Sequence, residues 1–199
     1  MKMNPILLAL LLATPMPVQA FRIITVAHPA SGGEAPSCDT VQQMEWGTPT
    51  GDADVGRLSI TMFIETKFVA TGNYTVCAAD LMLSAVGSPT QSLTAAIYSH
   101  DAAEDDPDAI IVKASSPVDA STISGENQTV KFENISALIT DGSTNWVVLT
   151  VDSYDASNYV DWEWWSSSPI ERAARDDDGV GTWGSLSTSR GMMYKLYGD

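Results

Sequence analysis

The stretch Asn145 to Trp165, NWVVLTVDSYDASNYVDWEWW, constrains the fold more than any other part of the chain. Asn145–Val151 is almost entirely β-branched or aromatic and lacks Gly and Pro, the composition of a strand buried on both faces. After a short polar connection the second strand alternates. Val160, Trp162 and Trp164 fall on one side, and Tyr159, Asp161, Glu163 and Trp165 on the other, because successive side chains of a strand point to opposite faces. One strand therefore carries a core face and an acidic, aromatic face.

The same reading extends along the chain. Tyr74–Val86 reads as a long strand, followed by a turn at Gly87-Ser-Pro-Thr. Leu93, Ala95 and Ile97 alternate with Thr94, Ala96 and Tyr98; Ala109–Lys113 is a short apolar strand; Val130 and Phe132 mark a half-buried one. At the C-terminus Met192, Tyr194 and Leu196 alternate with Met193, Lys195 and Tyr197. Leu58–Val69 holds a strand or two, residues 39–56 read as loop and turn, and Pro169–Arg175 as one short helical turn. No window sustains helical periodicity over three turns. Strands recurring about every dozen residues predict an all-β fold, an antiparallel two-sheet β-sandwich of jelly-roll type. The sandwich is expected over residues 57–199, preceded by an arm at 21–56 and a leader at 1–20.

The leader expectation rests on composition. Lys2 supplies a positive start, Ile6–Ala13 an apolar run, and Val18-Gln19-Ala20 a small-residue cleavage pattern, which together read as a secretory signal and an extracellular address. The alternative is an uncleaved anchor, although the apolar run is too short to span a bilayer. Cys38 and Cys77 are the two cysteines. In an exported chain an even pair suggests one disulfide, stabilising by about 4 kcal/mol on the chain-entropy model; two buried free thiols are the alternative. A formal charge of −15 opposes nucleic acid and anionic membrane surfaces as partners, and suits a soluble protein or divalent cations. Asn73, Asn127 and Asn134 each open an N-x-S/T sequon for N-glycans. In the arm, Phe21, Ile23, Ile24 and Val26 form a β-prone run that either docks on its own domain or acts as a donor strand for a neighbour, giving self-association.

Three chemistries are open to the polar residues. Tyr159 and Trp165, with Trp183, could stack on sugar rings while Asp161 and Glu163 accept hydroxyl hydrogen bonds; the alternative is aromatic packing in a core or between subunits. Asp176, Asp177 and Asp178, or the run Asp101, Glu104, Asp105, Asp106 and Asp108, offer carboxylates to calcium, but neither has spaced EF-hand ligands, and the favoured alternatives are a tight hairpin turn at Asp177-Asp178-Gly179 and a solvated loop at 101–108. Glu163 with Asp161 or Glu171 could be drawn as a glycosidase pair. Against catalysis stand the absence of GxSxG, HExxH or any Cys–His arrangement, and the scattered positions of His28 and His100. No catalytic residue, cofactor or zinc site is expected.

The succession LMLSAVGSPTQSLTAAIYS (81–99), SSPVDASTIS (115–124), SYDASNYVDW (153–162), DDDGVGTWGSL (176–186) and MMYKLYG (192–198) resembles the choice-of-anchor R and related jelly-roll modules of secreted and phage-associated proteins. That resemblance covers roughly residues 57–199. It implies a non-catalytic sandwich displayed on cell surfaces, fibres or virion tails, and it transfers no catalytic residue. The arm, the cysteine pair and the acidity depart from the pattern, and the arm and the pair suggest a unit built to connect to something. The expectation is thus a non-enzymatic structural or adhesive module of an extracellular appendage, coat or fibre, with a monomeric carbohydrate-binding protein as the alternative.

Overall fold

A computed structural model describes residues 38–57, 63–113, 116–165, 173–176, 183–187 and 191–199. The leader and the run Phe21–Val26 lie outside them. Fourteen strands are described: β1 Val41–Glu45, β2 Gly51–Val55, β3 Phe63–Val69, β4 Tyr74–Val86, β5 Ser92–Asp101, β6 Asp106–Lys113, β7 Val118–Asp119, β8 Gln128–Ile139, β9 Thr144–Val151, β10 Tyr159–Trp165, β11 Ala173–Asp176, β12 Trp183–Ser187, β13 Gly191–Met192 and β14 Tyr194–Gly198. Among the described residues one 3-10 turn, Ala120–Thr122, is capped by the Asp119 carboxylate, which accepts from the Ser121 amide. The chain is a β-sandwich of two antiparallel sheets, as the strand spacing predicts.

In the first sheet β4 is the organising strand. β8 pairs along nearly its whole length, from Tyr74 with Ile139 to Leu83 with Gln128. The opposite edge is shared: β14 takes residues Val76–Leu81 and β10 takes Leu83–Val86. β10 in turn pairs with β2 on its outer edge and with β13 at its far end, while β1 lines β14. The three strands β4, β10 and β14 fork at Met193. Its amide donates to Glu163 O at 2.9 Å, and its carbonyl accepts from the Met82 amide and from the Trp162 indole at 2.9 Å. The second sheet runs β12-β11-β3-β9-β5-β6, with β7 beside β5. The strands β9 and β10, adjacent in sequence, therefore belong to different sheets.

The interior closes between the sheets. Phe68, Leu93, Ala95, Ile97, Val147 and Leu149 from the second sheet meet Val76, Leu81, Leu83, Phe132, Val160, Trp162, Tyr194 and Leu196 from the first. Each of the larger aliphatic and Phe side chains among them stabilises by roughly 1.5–3 kcal/mol through apolar burial. The predicted faces of β10 are those observed: Val160 and Trp162 are buried in the core and Trp164 packs against it. The interior is not wholly apolar, since the Tyr74 and Thr66 hydroxyls are buried without hydrogen-bond partners among the described residues, at a typical cost of about 1–3 kcal/mol each.

Two differences from the sequence reading matter. Residues 39–56 were expected as loop and turn, with the sandwich starting at 57, yet they supply β1 and β2, both hydrogen-bonded into the first sheet. In addition, Ala173–Arg175, expected at the end of a short helical turn, lies in the strand β11.

Cys38 and Cys77 form a disulfide with Cα atoms 5.9 Å apart. It ties the chain just before β1 to the organising strand β4. Among the described residues no helix is long and apolar enough to cross a membrane.

Candidate functional site

The outward face of β10 is assembled from three strands. Register sets Asp161 opposite Asp54 of β2 on one edge and opposite Ser84 of β4 on the other. Two residues along, Glu163 faces Asp52. Directly opposed side chains on neighbouring antiparallel strands sit about 5 Å apart at Cβ, so four carboxylates occupy one small patch. β2 holds them there because Ala53 and Val55 point inward to the core while Asp52 and Asp54 alternate outward.

This face is not open to solvent at its centre. Asp161 and Glu163 are each 6% exposed. The Ser84 hydroxyl donates to the Glu163 carboxylate and accepts from the Asn127 amide at 2.8 Å, so the loop before β8 lies alongside. Arg57 reaches back over the patch. Its guanidinium donates to Asp54 Oδ2 at 2.6 Å and stands 5.4 Å from the Tyr159 ring centroid. Burial raises the Asp161 carboxyl to about 7, assisted by Asp52, Asp54 and Glu163. Glu163 is raised as well, by burial first, with the Ser84 hydrogen bond pulling the other way.

The aromatic residues of the face are also partly covered. Tyr159 is 9% exposed, beneath Arg57. Trp165 is half-buried, with the Gly47 backbone against its indole; a Cβ at Gly47 would come within 2.8 Å of that ring. Trp164 is likewise overlain by Gly51 and donates from its indole to Asp52 O at 2.7 Å. The structure thus brings Tyr159, Asp161, Glu163 and Trp165 onto one face, as the alternation predicts. A sugar ring stacking there would first have to displace the β1–β2 segment or Arg57. Trp183 sits at the start of β12, in the other sheet.

For calcium, Asp176 ends β11, whereas Asp177 and Asp178 lie outside the described residues. The run at 101–108 closes the β5–β6 hairpin. Asp101 accepts from the Ala103 amide at 2.7 Å, and Asp105, in the left-handed region at φ 60°, contacts Lys67 at 3.0 Å and His100 at 3.6 Å. Among the described residues no group of three His, Cys, Asp or Glu side chains is arranged to hold a metal ion. Glu171, the other carboxylate considered for hydrolysis, lies outside them.

All three sequon asparagines are exposed. Asn127 and Asn134 also have left-handed backbones, at φ 55° and 61°. At Asn134 this forms a bulge, where residues 134–136 of β8 oppose Cys77 alone. Asn tolerates that conformation better than most residues, so the Asn in this sequon serves the backbone as well.

Sequence reasoning missed Asp52, Asp54, Arg57 and Ser84. The signal for the first two is the short alternation Asp52-Ala53-Asp54-Val55, read there as turn chemistry. No protein-family model matches the chain, and no curated protein is significantly similar to it in sequence.

Proposed function

We propose that the chain is an exported, non-enzymatic structural or adhesive module that joins neighbouring subunits through its N-terminal arm. The observation that carries this reading is the seat of the arm. Cys38, the point at which the chain enters the sandwich, is bonded to Cys77 on β4, the strand around which the first sheet is built. A bond at this point would pass any load on the arm directly to that strand rather than through β1. The leader-like start and the disulfide both suit an oxidising compartment outside the cytosol. The β-prone run with Phe21, Ile23, Ile24 and Val26 suits strand addition to a neighbour's sheet, and the resemblance to display modules of surfaces and fibres agrees with both. The covered state of Tyr159, Asp161 and Glu163 favours this reading over a sugar-stacking platform.

Sedimentation velocity on the oxidised chain 21–199 is expected to show association that grows with protein concentration. Deleting residues 21–27 is expected to leave a folded monomer over the same range. A monomer in both cases contradicts the reading.

A further inference from the structure

The contact between Asp54 and Asp161 points to a proton-binding device at the sheet edge, independent of the assembly reading. Two ionised carboxylates are acceptors only, so they bond each other only when one carries a proton. Register sets Asp161 directly opposite Asp54, yet its Oδ1, buried in a residue that is 6% exposed, finds no donor among the described residues. Arg57 donates to Asp54 Oδ2 at 2.6 Å, which sets its positive charge against Asp54 rather than Asp161. The proton therefore belongs on Asp161, whose O–H donates to Asp54.

The remaining groups facing Asp161 strengthen this assignment. β2 presents Asp52 beside Asp54, β10 itself presents Glu163 and Tyr159, and β4 presents the neutral Ser84. Glu126 acts on Glu163 from the loop before β8. Among the described residues the facing cation is Arg57, 48% exposed at its side chain and already engaged by Asp54.

We infer that Asp161 and Asp54 share a proton that latches β2 onto β10, so that losing the proton loosens β2 and the segment leading into it. β2 is the element that yields. It has five residues and, among the described strands, pairs with β10 alone, whereas β10 is also held by β4 and β13. The folded pair keeps its proton up to about 7, whereas an unfolded aspartate releases it near 3.8. Closure is therefore complete on the acid side and is lost as pH rises through neutrality. Loosening β2 also lifts Gly51 from Trp164 and Gly47 from Trp165, which uncovers the two indoles.

Hydrogen exchange on the full oxidised chain, corrected for intrinsic rates, tests this. Protection of the Asp52–Val55 amides is expected to fall at least about tenfold between pH 5.5 and 8.5, with β9 amides unchanged. In Asp161→Asn the side-chain amide donates to Asp54 at every pH, and β2 protection is expected to stay level. The carbon-13 carboxyl resonance of Asp161 in the unmodified chain provides a reading that needs no variant, with a midpoint expected near neutrality. The latch is overturned by an ordinary aspartate midpoint, by the same pH dependence in Asp161→Asn as in the parent, or by an equal fall in β2 and β9.

Discussion

Replacing Trp162 by alanine is expected to cost about 3–5 kcal/mol of folding stability, the range for deleting a fully buried large aromatic side chain. Trp162 is wholly buried, and it lies where three strands of the first sheet diverge. The substitution removes core volume and also the indole donor to Met193 O at 2.9 Å, leaving that carbonyl with the Met82 amide alone at 3.2 Å. Urea unfolding measures the effect as a shift of midpoint at constant slope. Trp165→Ala on the opposite face is the internal comparison. It is half-buried against Gly47 and outside the core cluster, so its cost is expected to be less than half as large. Equal costs at the two positions would mean that β10 does not divide its faces as described.

Removing the disulfide is the second large effect. Cys38 and Cys77 are separated by 39 residues, and closing a loop of that length is worth about 4 kcal/mol in the chain-entropy model. The double substitution Cys38→Ser, Cys77→Ser is therefore expected to lower the unfolding free energy by roughly that amount, with a matching fall in the melting temperature. Part of the loss is local. β1 holds to β14 through a ladder interrupted between Val41 and Gln43, and exposes Val41 and Met44 at 41% and 58%. Without the bond, β1 is expected to fray before the rest of the sheet, seen as early loss of amide protection at Gln43–Glu45. An unchanged melting temperature would show that the bond is incidental to the fold.

The parts of this architecture that were legible in the sequence are those fixed by near-neighbour chemistry. β4 runs from Tyr74 to Val86, the span its apolar content predicts, and β9, paired on both edges by β3 and β5, is buried without a break over Asn145–Leu149. The alternation in β10 assigned Trp162 to the core without any knowledge of its partners. What was not legible is set by pairing at long range. β2, Gly51-Asp-Ala-Asp-Val55, has the weak strand propensity of Gly and Asp, and it becomes a strand because β10 offers it a ladder. The indole of Trp164 reaches Asp52 O across 112 residues of chain. The acidic patch exists only through that pairing: Asp161 and Glu163 look like solvated strand carboxylates until Asp52 and Asp54 are laid beside them. The fork at Met193 is equally invisible, since a long strand shows nothing of how its edge is divided between two neighbours.

The chain enters the sandwich at Cys38 through a covalent seat on β4. Pulling single molecules from the N-terminus, with the C-terminus fixed, addresses it most directly. In the oxidised chain the force passes from Cys38 to Cys77 and bypasses β1, so the first unfolding event is expected to be rupture of the sheet around β4. After reduction the same pull must peel β1 from β14 first, and an additional event at markedly lower force is expected. Identical force traces for the oxidised and reduced chains would contradict the account.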